Sequence, residues 1–171
     1  AMYDGQHVDV LSQFISSRMV ASGVSRRKRG IPVVVDPIIS AKNNTRLLTD
    51  EGLKKLVARL FPLTTILTPN IDEASAITGS NIENLDDMRK SARATLSMGP
   101  KAVVIKGGHL KGNPIDLLYD GEEYLTWDKK RINRKIHGTG CSFSSVLLAF
   151  LIYGNNLKGA FVKAEQYMQN L

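Results

Sequence analysis

The sequence predicts an α/β protein with a doubly wound, mainly parallel sheet and helices on both faces. Short β-branched runs at residues 33–35, 64–68 and 101–106 have the composition of buried strands. Segments with apolar residues at helical spacing separate these runs, and strands that alternate with helices in this way form parallel sheets. A third feature, an alternating segment at residues 117–127, predicts a β-hairpin after the last of these strands.

The first elements follow from local patterns. An amphipathic helix is expected over residues 8–19, because Val8, Leu11, Ile15 and Met19 recur at helical spacing. The strand at residues 33–35 then ends at Asp36, which precedes Pro37. A second helix is expected from Thr49, which is a good N-cap and is followed by acidic residues in the first turn.

The remaining elements have equally clear boundaries. After the strand at residues 64–68, Pro69 and Asn70 turn the chain into a short helix that carries Asp72 and Glu73. A further helix is expected at about residues 86–98, before the strand at residues 101–106. The hairpin turns at Asp120-Gly121, a pair that favours a tight turn.

Length and composition indicate one domain over residues 1–171, with 43% hydrophobic residues available for a core. The longest apolar run, residues 146–153, is far shorter than the ~20 residues of a membrane span, so we expect no membrane association. The chain has one cysteine and no N-terminal secretion signal. We therefore expect a cytoplasmic protein with a free thiol.

The net charge of +7 raises the question of nucleic-acid binding, and the densest basic cluster covers residues 26–29. That cluster follows an amphipathic helix, where cations are favoured and need only be solvated. Aromatic residues make up 6% of the chain and do not alternate with the basic ones, so no stacking surface for single strands is expected. We predict no nucleic-acid partner and expect anionic small molecules instead.

A glycine-rich turn at residues 137–141 leads directly into an apolar helix. Gly138 and Gly140 allow the backbone around Thr139 to direct successive amides at one point, and the helix adds positive charge at its N-terminus. Cys141 lies in the first helical turn, where the dipole favours a thiolate. No Walker-type loop is present, and the third glycine of a dinucleotide fingerprint is missing. The alternative is an ordinary turn with a buried cysteine.

Polar residues follow the predicted strands where a parallel sheet binds its ligand, outside the carboxyl ends. They are Asp36, Asn70, Glu73, Lys106 and, after the glycine turn, Cys141. Taken singly, each has an ordinary explanation as a turn, a helix cap or a solvated strand end. Together they predict a phosphoryl-transfer site, because two carboxylates and an amide can hold hydrated Mg²⁺ while a lysine and glycine amides neutralise phosphate.

Four motifs together resemble the hydroxymethylpyrimidine/phosphomethylpyrimidine kinases of thiamine biosynthesis, members of the ribokinase-like superfamily. They cover residues 35–42, 68–74, 104–109 and 137–141, in the order of that family. The resemblance implies a ribokinase-like fold, ATP and Mg²⁺ as cofactors, and a phosphotransferase activity. The substrates implied are 4-amino-5-hydroxymethyl-2-methylpyrimidine and its monophosphate.

The resemblance also implies a role for each site residue. Gly138, Thr139 and Gly140 match the anion hole for the transferred phosphate, and Cys141 stands where most of the superfamily has an aspartate base. Asp36 and Glu73 match residues near Mg²⁺, while Lys106, Asn70, Gly107 and Gly108 match positions near ATP. The segment at Lys42 continues with Asn43-Asn44 instead of the family's Ser-Gly-like turn, which leaves Lys42 without an assigned role.

Such kinases are about half as long again as this chain. We therefore expect it to lack the N-terminal substrate-side part and the C-terminal end of the kinase domain. A pyridoxal kinase-like enzyme is one alternative, because it shares the glycine turn and the cysteine. Another is a non-catalytic nucleotide-binding module. A homodimer is compatible with the sequence, which does not fix the oligomeric state.

Overall fold

The computed structural model describes residues 4–21, 31–41, 45–108, 110, 114–129 and 139–170. The basic cluster at residues 26–29 and Lys42 lie outside these ranges. Within them, no helix is long and apolar enough to cross a membrane. The helices are α1 (Gly5–Ala21), α2 (Asp50–Lys55), α3 (Ile71–Thr78), α4 (Leu85–Leu96), α5 (Thr139–Ile152) and α6 (Leu157–Gln169). The strands are β1 (Val34–Val35), β2 (Ile66–Leu67), β3 (Ala102–Ile105), β4 (Ile115–Tyr119) and β5 (Tyr124–Asp128).

The five strands form one sheet in the order β1-β2-β3-β4-β5. Strands β1, β2 and β3 pair in parallel, whereas β4 is antiparallel to both of its neighbours. Four of the five strands therefore run in the same direction, which confirms the mainly parallel sheet. The hairpin β4–β5 is also confirmed, and the Asp120 carboxylate closes its loop by accepting hydrogen bonds from the amides of Glu122 and Glu123.

Helices cover both faces of the sheet, as the alternation predicts. On one face, α5 and α6 pack Phe143, Leu147 and Phe161 against the sheet. On the other, α3 and α4 bury Met88 and Ala92 against β3 and β4, while α1 and α2 cover β1 and β2. Successive residues of β3 point to opposite faces, so Val104 joins the first core and Val103 the second.

The second predicted helix ends less regularly than its sequence suggests. Helix α2 continues as a π-helical turn (Leu56–Leu60) and a short 3₁₀ turn (Phe61–Leu63). Pro62 lies in that 3₁₀ turn, where its missing amide removes a donor that an α-helix would need. The chain then enters β2, so these turns set where that strand begins and ends.

Candidate active site

The carboxyl ends of the three parallel strands bring together side chains that are far apart in the sequence. Asp36 follows β1, Asn70 follows β2 after three residues, and Lys106 follows β3 directly. The Lys106 amide donates to the Pro69 carbonyl at 2.8 Å, and Asn70 and Lys106 form an isolated parallel bridge. The backbone therefore fixes these residues side by side at one edge of the sheet.

A nearly buried ion pair lies at this edge. Lys106 Nζ donates to Asp36 Oδ1 at 2.7 Å, and the side chains of Lys106 and Asp36 are 15% and 13% exposed. Water is largely excluded, so the pair is screened less than a surface ion pair and neither charge can be removed without leaving the other unpaired. Asp36 thus holds a cation at the strand ends, ready to meet an anionic ligand.

Asn70 and Glu73 form a reciprocal cap at the N-terminus of α3. Asn70 Oδ1 accepts from the Glu73 amide at 2.9 Å, and Glu73 Oε2 accepts from the Asn70 amide at 2.7 Å. This is the capping box, in which two otherwise unpaired amides are satisfied by side chains. It also fixes the Glu73 carboxyl, which is only 7% exposed, beside the ion pair.

The electrostatic setting of Glu73 suits a cation. Burial raises the pKa of Glu73 to about 7, the Asn70 amide and Lys106 lower it, and Asp36 and Asp72 raise it further. A carboxyl that is buried among other carboxylates gains from an added positive charge. Within the described ranges no three His, Cys, Asp or Glu side chains form a preformed metal cluster. Asp36 and Glu73 therefore fit Mg²⁺ as a partial set of oxygen ligands, to which a nucleotide and water would add.

Gly140, in the first turn of α5, lies against the Asp36–Lys106 ion pair at the strand ends. A Cβ at Gly140 would lie 3.2 Å from Lys106 Nζ and 3.8 Å from Asp36 Oδ2, so the helix backbone approaches the ion pair closely. The N-terminus of α5 adds its unpaired amides and the positive end of its dipole. A lysine, a helix N-terminus and two carboxylates thus converge, which is the charge arrangement that a nucleotide with its metal ion requires.

The other residues of the glycine turn are only partly described. Gly138 lies outside the described residues, and Thr139 is the first residue of α5. Cys141 is exposed and lines a shallow depression on α5 and α6, together with Ser142, Ser145, Val146 and Tyr167. The Cys141 side chain is therefore accessible to solvent, one residue beyond Gly140. A thiol in this position is accessible, unlike the buried cysteine of the alternative interpretation.

Gly107 and Gly108 differ sharply in their surroundings. A Cβ at Gly107 would lie 1.9 Å from the Ile115 carbonyl oxygen, so no larger residue fits without a backbone shift. Among the described residues, a Cβ at Gly108 would meet nothing within 4 Å. The backbone after Lys106 is therefore tightly packed against β4 at Gly107, whereas the space beside Gly108 has room for a ligand.

Sequence reasoning missed three side chains that support this site. Thr68 and Ser144 are hydrogen bonded to each other, and Asp116 accepts a hydrogen bond from the Gly107 amide at 2.9 Å. Thr68 gave no signal beyond its place in a strand. Asp116 did, because an acidic residue at a core-facing position of an apolar strand needs a buried partner.

The sequence of this chain is similar to those of known proteins of one family. The family model described as phosphomethylpyrimidine kinase matches residues 10–171. A hydroxymethylpyrimidine/phosphomethylpyrimidine kinase of Bacillus subtilis is 40% identical over 140 residues, which are 80% of this chain and 52% of that protein. The chain spans about half the length of several curated relatives that it matches.

Two solved structures are similar throughout the chain. One is a phosphomethylpyrimidine kinase from Clostridium difficile, with a TM-score of 0.80 and 28% identity, covering 99% of this chain and 65% of that one. The other is an ADP complex of a pyridoxal kinase from Bacillus subtilis, with a TM-score of 0.79 and 30% identity, covering 95% of this chain and 57% of that one. The fold is thus shared with vitamin kinases.

Proposed function

Because this chain belongs to the phosphomethylpyrimidine kinase family, we propose that it forms the nucleotide-handling part of an ATP-dependent kinase. The phosphate acceptors are the hydroxyl of 4-amino-5-hydroxymethyl-2-methylpyrimidine and then the phosphate of its monophosphate. The observation that carries this proposal is the Asp36–Lys106 pair against Gly140. It combines a fixed cation with a helix N-terminus at the edge where a parallel sheet binds ligands.

Lys106 and the first turn of α5 are proposed to receive the phosphates of ATP. Phosphoryl transfer spreads negative charge over the oxygens of the moving group and needs mostly positioning and charge neutralisation. Lys106 is already held by Asp36 and by its backbone pairing with Pro69, so little reorganisation is needed when phosphate arrives. Gly138, Thr139 and Gly140 are proposed to present amides to the transferred group, and Asn70, Gly107 and Gly108 to lie along the nucleotide.

Asp36 and Glu73 are proposed to hold Mg²⁺, which supplies charge neutralisation for the nucleotide phosphates. Both side chains are oxygen ligands, which Mg²⁺ prefers, and both are largely buried. The pKa of Glu73 is raised mainly by burial, and the neighbouring Asp36 and Asp72 add to it. Binding of the cation with the nucleotide would therefore favour the ionised form of Glu73.

Cys141 is proposed to act on the acceptor hydroxyl, either as a base or as a hydrogen-bond partner. In this step the acceptor oxygen forms a bond to the γ-phosphorus, the bond from that phosphorus to the bridging oxygen breaks, and ADP leaves. The hydroxyl proton passes to the Cys141 sulfur, when Cys141 is the base, or otherwise to water. The exposure of Cys141, one residue beyond Gly140, is compatible with this contact.

The test of the binding step is a calorimetric titration of the chain with ATP and Mg²⁺. Lys106→Met should lower the affinity about tenfold or more, because it removes a charged hydrogen-bond donor from the phosphates. Lys101→Met is the matched control, since Lys101 lies exposed at the opposite end of β3 and should leave the affinity unchanged. Equal affinities for the two variants would overturn the proposed phosphate site.

Turnover distinguishes the remaining alternatives. The chain is offered the hydroxymethylpyrimidine and pyridoxal in parallel, with ATP and Mg²⁺, and the phosphorylated products are quantified. Phosphorylation of the pyrimidine supports the proposal, whereas a preference for pyridoxal favours the related kinase to which the structure is also similar. Nucleotide binding with no turnover of either alcohol favours the non-catalytic module.

A further inference from the structure

A cluster of three ionisable side chains, two of them buried and the third partly buried, lies next to the candidate site. Lys129 Nζ is 2.6 Å from Asp116 Oδ2 and 3.0 Å from Glu165 Oε2, and the two acidic side chains are 2% and 0% exposed. Removing charges from water costs several kcal/mol per ion, and apolar residues often replace such clusters without loss of stability. Stability alone is therefore a poor reason for three charged side chains in this core.

The cluster is joined to the residue after Lys106. Asp116 Oδ1 accepts from the Gly107 amide at 2.9 Å, while its other oxygen meets Lys129. Gly107 has no space for a side chain, because a Cβ there would lie 1.9 Å from the Ile115 carbonyl oxygen. The Asp116 carboxylate thus fixes the backbone at the point from which the Lys106 side chain extends.

The same cluster contacts the beginning of α5. Lys129 Nζ lies 5.6 Å from the centre of the Phe143 ring, within the range of a cation–π interaction. Phe143 is three residues beyond Gly140, and its ring packs edge-on against Phe161 of α6. One partly buried cation, Lys129, therefore contacts a side chain near the start of α5 and, through Asp116, the strand end that carries Lys106.

We propose that Asp116, Lys129 and Glu165 are positioning residues that hold Lys106 and the start of α5 in register, a role that rests on the proposed nucleotide-binding function. They do not contact the expected phosphates. They act through the Gly107 amide on one side and through Phe143 on the other. Their effect on the nucleotide is therefore indirect and should depend on the charge that the cluster carries.

The charge of the cluster is set by Glu165. Burial and the neighbouring Asp116 raise the pKa of Glu165 to about 8, against the opposing effect of Lys129. Burial acts to lower the pKa of Lys129, but its attraction to Asp116 and Glu165 outweighs burial and raises it. Among the residues that the structure describes, neither Glu165 oxygen accepts a hydrogen bond of good geometry, although Lys129 lies 3.0 Å from one of them. A protonated carboxyl fits these surroundings, since it can donate to Asp116.

With the proton on Glu165, a neutral carboxyl lies beside the ion pair of Lys129 and Asp116. Above pH 8 Glu165 ionises, and two carboxylates, Asp116 from β4 and Glu165 from α6, share Lys129, which follows β5. The second carboxylate competes for Lys129 and repels Asp116, so the hold of Asp116 on Gly107 weakens. The start of α5 contributes the apolar Phe143 to these surroundings.

The first experiment compares ATP–Mg²⁺ affinity at pH 7 and pH 9 for the unchanged chain and for Glu165→Gln. The variant mimics the neutral carboxyl, so it should match the unchanged chain at pH 7 and bind about three- to tenfold more tightly than it at pH 9. Ionisation of the nucleotide affects both proteins equally and cancels in the comparison. Identical pH profiles for the two proteins would overturn the proposal.

A second readout needs no ligand and separates this proposal from the proposed function. The Gly107 amide resonance is followed in ¹H–¹⁵N spectra from pH 6.5 to 9.5. It should shift with a midpoint near pH 8 in the unchanged chain and stay constant in Glu165→Gln. If the chain binds no ATP, the proposed function fails while this titration still decides the cluster. A Gly107 resonance that does not respond to Glu165 refutes the positioning role.

Asp116→Asn guards against a variant that merely fails to fold. Asparagine keeps an acceptor for the Gly107 amide but removes the charge that holds Lys129. The expected result is a folded protein whose ATP–Mg²⁺ affinity at pH 7 is about three- to tenfold lower than that of the unchanged chain. Its affinity should also lack the change between pH 7 and pH 9 that ionisation of Glu165 causes in the unchanged chain. Glu123→Gln, on the exposed hairpin, is the control. Unchanged affinity in a folded Asp116→Asn protein counts against the proposal.

Discussion

Thr68 Oγ1 and Ser144 Oγ lie 2.8 Å apart, although 76 residues separate them in the sequence. Thr68 Oγ1 also lies 3.2 Å from the Val35 carbonyl oxygen, and Ser144 Oγ donates to the Gly140 carbonyl oxygen at 3.1 Å. Both side chains are buried. The pair therefore connects the end of β2 directly to the first turn of α5, the turn that brings Gly140 against Lys106.

Removing either hydroxyl of this pair should destabilise the fold. Ser144→Ala and Thr68→Val should each lower the free energy of unfolding by about 0.5–1.5 kcal/mol, because each removes a buried hydrogen bond while the remaining hydroxyl keeps its backbone carbonyl partner. The double variant should cost less than the sum of the two, since the partners share one interaction. Urea denaturation measures all three changes.

Ser145→Ala is the matched control for this prediction. Ser145 Oγ also donates to the carbonyl four residues before it, which is that of Cys141, at 2.9 Å, but the Ser145 side chain is exposed. Its removal should change the free energy of unfolding by less than about 0.5 kcal/mol. Additive losses in the double variant, or an equal loss at Ser145, would argue against a specific link between β2 and α5.

Gly107 and Gly108 should respond very differently to the same substitution. Gly107→Ala places a Cβ against the Ile115 carbonyl oxygen and should cost about 3 kcal/mol or more, because backbone must move. Gly108→Ala adds a methyl group in open space and should stay within about 0.5 kcal/mol of the unchanged chain. Thermal denaturation of the two variants side by side tests this contrast, and similar melting temperatures would show that the backbone at Gly107 yields easily.

The sequence predicted the placement of Asp36, Asn70 and Lys106 at one edge because the carboxyl ends of parallel strands meet there. The roles of these residues remain predictions. Long-range pairing was not readable in the same way: nothing local indicates that Thr68 meets Ser144. Such contacts depend on how α5 settles on the sheet, which tertiary packing decides.

Helix and strand boundaries show the same limit on a smaller scale. Asn84 caps α4 by accepting from the Asp87 amide, so the helix begins one residue before the expected start at 86. The π-helical turn after α2 had no signature in the apolar pattern, because its buried residues Leu56 and Leu60 keep the four-residue spacing that an α-helix also shows. Glu165 lies four residues beyond Phe161 on the buried face of α6, and its charge made it an unexpected core residue.

Glu73 should make the stability of the fold depend on pH. Its pKa is raised to about 7 in the folded chain, mainly by burial, from an ordinary value of 4.5. The folded state therefore binds this proton more readily than the unfolded state, and stability falls as the pH rises from about 4.5 to 7. Glu73→Gln lacks this titration. The difference in stability in favour of the variant should therefore grow between about pH 4.5 and pH 7 and stay constant above pH 7.

Thermal denaturation at steps between pH 4.5 and 8.5 measures the difference between the two proteins. Glu122→Gln, on the exposed hairpin loop, is the control and should follow the unchanged chain at every pH. A difference between Glu73→Gln and the unchanged chain that is constant with pH would mean that Glu73 is already ionised when folded. In that case burial would not disfavour the Glu73 carboxylate, and the argument that a bound cation would favour its ionised form would lose its electrostatic support.

Cys141 should be reactive and should matter for turnover more than for nucleotide binding. It is exposed in the first turn of α5, and it is the single cysteine of the chain. An alkylating reagent should label it in the folded protein, and ATP with Mg²⁺ should slow the labelling by occupying the adjacent phosphate site. If Cys141 contacts the acceptor hydroxyl, Cys141→Ala should lower the rate by about 10²–10⁴-fold, the usual effect of a positioned acid–base group.

ATP affinity should stay nearly constant in Cys141→Ala, because the phosphates meet backbone amides and Lys106 instead of the thiol. Cys141→Asp should keep measurable activity, since a carboxylate at this position can also accept a proton. Ser142→Ala, at the neighbouring exposed position, is the control and should leave the rate unchanged. Where the chain shows turnover, a fully active Cys141→Ala would remove the thiol from the reaction and leave it as a surface residue beside the site.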